Sequence, residues 1–543
     1  MVFARRSTTL LAAIIASCAM VLSLTACTSD NKTVVDGQTT VTSNSAGGVA
    51  VFTPSDGITL NQQVPLNKWA KLVPDLTKAL VDAGFKKGDI NHTTSDSLDK
   101  QSRAIQDFVV DHLSNNTTDD SGIAIAPDNM TLLVAPVAEA DASTRQYGDY
   151  VSQNLSTNDV TDEGATSDGE SSEDDSSKDD SSNTESDSTA SDEQAQAVDR
   201  LVSSLKLAKE SGMHVVLLGN SIEGYKPDAF VKFSDAQTIG KLQAEKMVSK
   251  LKLDKASKDN PKYIEVLLPY TAVDEKGNAN DSTFAQEAFR GIWQVLGSYY
   301  QKGVVESPSG TLDGKSTEND WQAVAYDAAK EGSTAKVLDK RLAKTDGQST
   351  LTRIDGIITM NDYIASEVVK ELDDLGYTGS AADINPQITI SGIVGNITGK
   401  KDLSRDAVPD PIKSPENDNA NDSSSSDDDA DEDTSASDKD RDSQWPLVTG
   451  YGAYVSNIPS IVNGKQWMTG MEDRQTIATD IAQACAKLNK DEALNSMPSI
   501  RNSEVGGVKK IPTISEPLLA VSASNLKSAL IDPGYISLAD AGL

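Results

Sequence analysis

The chain has 543 residues, a formal net charge of −33 at pH 7, 37% hydrophobic residues and three cysteines. Such a length exceeds one hydrophobic core and points to two or three domains. The acidic balance leaves no basic face for nucleic acid, and so few cysteines exclude a disulfide framework.

Much of the charge is confined to two stretches. Residues 162–193 carry thirteen acids against Lys178, and residues 416–442 carry twelve against Lys439 and Arg441. Without apolar residues they cannot offset the entropy of ordering. They are expected to be disordered insertions, spanning with their flanks residues 140–195 and 403–444. What remains is an ordinary, mildly acidic globular protein.

At the N-terminus Arg5 and Arg6 precede an apolar run, Leu10 to Leu24, which ends in Leu24-Thr25-Ala26-Cys27. This resembles the signal and lipobox of bacterial lipoproteins. The resemblance implies removal of residues 1–26, lipidation of Cys27, a flexible tether over 27–48, and a place at the extracytoplasmic face of the cell membrane. A membrane span is the weaker reading, because the run is at the short edge of the ~20 residues a span needs. Cys18 leaves with the signal. Cys485 shares a helical face with Ile477, Ile481 and Leu488 and reads as a small buried apolar residue.

The folded part alternates strands with amphipathic helices. Residues 49–53 read as a strand and 68–83 as a helix closed by Gly84. Ile90 belongs to a second unit, whose helix carries Ile105, Phe108, Val109, His112 and Leu113. A strand at 131–137, a helix resuming at 197–210 after the first insertion, and a strand at 214–218 follow. Residues 230–233 lead into a helix over 236–251, and 264–268 starts a second series, with helices near 283–296 and 321–331. The clearest unit is IDGIITMNDYIASEVVKELDDLGYTG, residues 354–379. Its β-branched run changes to a helical period through Ile364, Val368, Leu372 and Leu375, and Gly376 closes the helix. Further strands are expected at 387–393 and 446–450. Strands alternating with helices imply parallel, doubly wound sheets. In such sheets ligands bind at the carboxyl ends of strands, here the loop Met360-Asn361-Asp362.

Lys68-Trp69, DSLDKQSRAIQDF, TLLVAPV, FVKFSDAQTIGKLQAEKM, the 354–379 unit, VTGYGAYVSNIPSIVNGKQWMTGM and the ending NLKSALIDPGYISLADAGL occur in an order that resembles the type I periplasmic binding proteins, in particular the xylose-binding branch. The resemblance implies an α/β fold of two doubly wound parallel-sheet lobes joined by a three-segment hinge. Lobe 1 would take residues 49–232 and about 470–505, lobe 2 residues 233–469, and 506–543 a hinge-crossing segment. Lys68, Trp69, Asn220, Trp321, Asn361, Asp362 and Glu472 would line the ligand cleft, aromatic faces stacking on a sugar ring and polar groups binding hydroxyls. Trp69 also fits a core role, and Asp362 a helix-capping one.

The chain departs from that branch in three places. Gly219-Asn220 replaces an Asp-Arg pair, Gly452 an aspartate, and Glu472 a lysine, so xylose itself is a poor fit. Ser309 to Ser316 approaches a phosphate loop, but its first glycine is displaced. His92, His112 and His214 lack metal spacing, and no Ser/His/Asp order stands out. The expectation is therefore a non-enzyme without cofactor or metal: a lipid-anchored solute-binding protein delivering a carbohydrate-like ligand to an ABC permease. The alternative is a surface sensor or interaction protein with an altered cleft.

Overall fold

A computed structural model describes residues 33–35, 38–40, 46–55, 65–115, 125–138, 144–157, 185–273, 280–328, 330–343, 350–382 and 444–543. The signal segment, Cys27, residues 162–184, the strand expected at 387–393, and residues 403–443 lie outside the described residues. Two units are distinguished, Met1–Asn44 and Ser45–Leu543. In the first, within the expected tether, Thr33–Val35 pairs antiparallel with Gln38–Thr40.

The second unit holds two parallel sheets. The first is built from β1 (Gly48–Pro54), β2 (Ile90–Ser95), β3 (Met130–Val134), β4 (His214–Leu218) and β5 (Ala229–Lys232). Their spatial order is 2-1-3-4-5, all parallel. Val49, Val51, Phe52, Leu132 and Leu133 are buried, the continuous apolar pattern of strands covered on both faces. Trp69–Asp82 (α1) packs on one face beside a late helix, and Leu98–Asn115 (α2) with Glu185–Glu210 (α3) covers the other.

The chain then enters α4 (Ala236–Leu251), capped by Asp235, whose side chain accepts the Thr238 N–H. The second sheet comprises β6 (Lys262–Val266), β7 (Val305–Glu306), β8 (Gly356–Ile358) and β9 (Leu447–Val448), ordered 7-6-8-9 and parallel. Helices α4 and α5 (Thr283–Gln301) cover one face. Helices α6 (Ser333–Arg341) and α7 (Asp362–Leu375) cover the other. β10 (Met468–Met471) leads back to α8 (Arg474–Leu488), the partner of α1, and the hairpin of β11 (Ile500–Val505) and β12 (Val508–Ser515) extends the first sheet beside β5. The last strand, β13 (Leu519–Ser522), pairs antiparallel with β10. The chain thus crosses between lobes three times, at 233–235, 472–473 and 516–518.

This is the α/β architecture of doubly wound parallel sheets that the strand and helix pattern implies, in the two lobes that the family resemblance implies. Four local expectations are corrected. Helix α3 begins at Glu185, inside the segment expected to be disordered. Residues 144–157, also inside that segment, are ordered, because Tyr147, Tyr150, Val151 and Leu155 supply buried apolar surface that the acidic run lacks. The helix expected over 321–331 stops at Val324, because Ala325–Tyr326 pairs in parallel with Leu268–Pro269. β12 lies in the part expected to be a hinge-crossing tail, yet it is a strand of the first sheet. Among the described residues no helix is long and apolar enough to cross a membrane.

Candidate functional site

The carboxyl ends of both sheets meet where the chain crosses between them. After β5, Ser234 donates its N–H to the Glu472 carboxylate at 2.6 Å, and its hydroxyl lies 2.6 Å from Tyr451 Oη. Tyr451 Oη also donates to Glu472 at 3.3 Å. Glu472 is buried between the lobes, and burial pushes its pKa up to about 7 against these donors.

On the second lobe, Asn361 is the N-cap of α7, its side-chain oxygen accepting the Ile364 N–H at 2.9 Å. Asp362, the first helical residue, turns the other way. Its carboxylate accepts from Gln466 Nε2 at 2.7 Å, Thr469 Oγ1 at 2.9 Å and the Tyr454 N–H at 2.9 Å. Full burial raises its pKa to about 6 although all three donors favour the charged form. A carboxylate so enclosed fixes the turn at 450–454 and has no oxygen turned to a ligand.

Between the lobes runs a strap of the chain itself, residues 144–155. On the first lobe, Asp149 accepts from Lys68 Nζ at 2.7 Å and from the Trp69 N–H at 3.1 Å, at the start of α1, and its own N–H donates to Asn67 O at 2.8 Å. Tyr150 donates to Lys68 O at 2.5 Å and stacks on Phe233, with Trp69 edge-on at 5.1 Å. Asn220 accepts the Gln153 N–H at 2.9 Å. Asn154–Leu155 then pairs with Ser221–Ile222. Facing the second lobe, Gln146 accepts from Asn361 Nδ2 at 3.0 Å through its side chain and from Tyr454 Oη at 2.6 Å through its carbonyl. Tyr147 packs against Phe284 at 4.7 Å and joins the core of that lobe.

Of the seven residues expected to hold a ligand, four (Lys68, Trp69, Asn220 and Asn361) are brought together, and what they meet is the strap. Trp69 is at the same time core, packed against Tyr150 and Phe233. Asp362 and Glu472 are turned inward to protein donors. Trp321 packs edge-on against Tyr270 at 5.1 Å and lines a shallow depression of about 330 Å³ with Thr271, Gln322 and Asp327. The residues that sequence reasoning missed are Gln146, Asp149, Tyr150 and Tyr454; the tyrosines flanking Gly148 were the visible signal, two large aromatics within an otherwise polar span. Cys485 is fully buried, as its helical face implies, and burial pushes its thiol up. No group of three or more His, Cys, Asp or Glu is placed to hold a metal ion among the described residues.

No protein-family profile matches the chain, and no curated protein matches it. Among solved structures it is similar to an ABC transporter solute-binding protein from Clostridium phytofermentans with bound β-D-glucose, at 16% identity over 91% of this chain and 99% of that one, TM-score 0.44. It is similar as well to a carbohydrate transporter solute-binding protein from Chloroflexus aurantiacus in complex with D-glucose, at 18% identity over 92% and 98%, TM-score 0.42. A third is an arabinose-binding protein from Geobacillus stearothermophilus, at 10% identity over 89% and 99%, TM-score 0.41.

Proposed function

We propose that the chain is an extracytoplasmic solute-binding protein, anchored by lipid at Cys27, whose interlobe cleft receives a small polar, sugar-like ligand for delivery to an ABC permease. The observation that carries this reading is the convergence of the carboxyl ends of two doubly wound sheets, with Lys68 and Asn220 on one lobe and Asn361 on the other. That is where open α/β sheets bind ligands, and a three-segment hinge suits closure around one. Binding, with no catalytic step, is all that this set of amides and one lysine supports. Calorimetric titration of the part after residue 48 against monosaccharides and small polyols, with scattering to follow the lobe angle, tests it. Saturable heat with compaction is expected, and neither with any candidate would end the reading. Mass spectrometry of the mature N-terminus tests the anchor: an unmodified Cys27, or a terminus elsewhere, rejects it.

A second reading, a sensor or interaction protein with the same fold, is favoured by one observation: the polar groups of the cleft already have partners in residues 146–153. A titration in which no small molecule binds, while the lobes stay closed, would favour it.

A further inference from the structure

We propose that the interlobe cleft is a peptide site loaded in cis: residues 146–153 are its resident ligand and hold the lobes closed in the place of a free solute. The proposal rests on the cleft being the ligand site of the reading above, and changes what fills it.

The strap makes the contacts a bridging ligand makes. Its one carboxylate, Asp149, sits at the start of α1 beside Lys68, where unpaired backbone N–H groups and a cation favour an anion. Its Gln146 side-chain amide accepts from the amide of Asn361 on the opposite lobe. Each lobe receives one buried tyrosine, Tyr150 beside Trp69 in the first and Tyr147 beside Phe284 in the second. Rigid aromatic anchors in preformed pockets are the usual source of affinity at peptide and protein interfaces.

Its backbone is fitted as closely as its side chains. Gly148 has φ +96°, and a Cβ there would stand 2.6 Å from Asn67 O, so only glycine passes between the anchors. The flanking amides are taken up by the cleft, Asp149 N–H by Asn67 O, Ser152 N–H by Ser234 O and Gln153 N–H by Asn220. A segment on the same chain competes at a fixed high effective concentration, which a free monosaccharide must exceed.

The test uses the full chain, Gly148→Val to evict the strap, and a synthetic peptide of residues 144–155 as the probe. In the parent, amide hydrogens of Asp149, Ser152 and Gln153 should exchange at least tenfold more slowly than in the variant. Scattering should show the variant opened. The peptide added in trans should close it again, whereas the same peptide carrying Tyr147→Ala and Tyr150→Ala should not. If Gly148→Val fails to fold, the double variant Tyr147→Ala with Tyr150→Ala, which removes both aromatic anchors from the strap in cis, is read the same way. Parent amides that exchange at the rate of the free peptide, or a lobe angle unchanged on eviction, would overturn the proposal.

D-Glucose titrated into parent and variant separates this inference from the solute-binding reading. Binding at least tenfold tighter in the variant supports both. Binding in neither, repeated for the other monosaccharides and small polyols while the peptide still closes the variant, supports the cis-loaded site and ends the solute reading. Binding to the parent while its strap amides stay protected overturns the cis-loaded site alone.

Discussion

Glu472 accepts the Ser234 N–H at 2.6 Å, which joins two of the three chain crossings through one buried carboxylate. Burial raises that carboxyl from the ordinary value of 4.5 to about 7. Between those values the folded protein holds a proton that the unfolded chain releases. This group's contribution to stability is therefore complete below about pH 4.5 and is lost as pH rises through 7. Asp362, raised from 3.8 to about 6, acts in the same direction.

The first prediction follows from that sign. Glu472→Gln keeps an oxygen for the Ser234 N–H and removes the titration, so the parent should lose more stability than the variant between pH 5 and 8. The difference should be on the order of 2–4 kcal/mol, at about 1.4 kcal/mol for each pH unit between the ordinary and the raised value. Urea unfolding at a series of pH values checks it, and parallel curves for parent and variant would refute it.

Asp362→Ala should injure the fold more than any ligand contact. The variant leaves Gln466 Nε2, Thr469 Oγ1 and the Tyr454 N–H without their acceptor in a buried site. Each such loss costs about 1–3 kcal/mol, so a total of about 3 kcal/mol or more is expected from denaturant midpoints. A cost below about 1 kcal/mol would mean that the turn at 450–454 is held by something else.

Removing the carboxylate of the strap should have a smaller and local effect. Asp149→Ala forfeits the Lys68 pair and the Trp69 N–H bond, charge-assisted contacts in a partly buried place, for about 1–2 kcal/mol. Asp149→Asn retains an acceptor for Trp69 and should recover part of the loss. Thermal unfolding of the three proteins side by side measures the order, and equal midpoints for the alanine and parent proteins would show that the aromatic anchors alone seat the strap.

The sequence speaks clearly where structure is local. Ile364, Val368 and Leu372 recur at helical spacing and are the buried face of α7, and Asn361 before them is its cap. Buried parallel strands such as Val49 to Phe52 announce themselves by continuous apolar runs. The strap is different, because its meaning lies in partners far along the chain. Lys68 is 81 residues from Asp149, and Gln146 is 308 from Tyr454. Composition groups residues 144–155 with the acidic run that follows them, and no periodicity marks so short a piece. Asn361 was legible as the residue between a strand end and a helix start, whereas Lys68 and Asn220 were expected only from the family resemblance. What they bind was not legible, since a side chain's partner is decided by tertiary packing. In the same way Asp362 looks like a ligand carboxylate until Gln466, Thr469 and the Tyr454 N–H are seen around it.

The last prediction concerns Gly452. Placing a carboxylate there should strain the turn and leave the cleft without a pentose site. Gly452 has φ +114°, and a Cβ there would lie 2.9 Å from the Tyr454 ring and 3.4 Å from Pro65. Its carbonyl also accepts the Leu66 N–H at 2.9 Å, so the backbone has little freedom to turn away. Tyr454 cannot simply yield, because its hydroxyl is bonded to Gln146 O of the strap at 2.6 Å. Gly452→Asp is therefore expected to cost about 1–3 kcal/mol, the usual range for a side chain held in a backbone region suited to glycine, and to show no heat with D-xylose or L-arabinose. Thermal unfolding and calorimetry on the same preparation decide it. Pentose binding by a variant that melts with the parent would mean that the turn relaxes, that the strap gives way, and that the cleft is an open sugar site one carboxylate short.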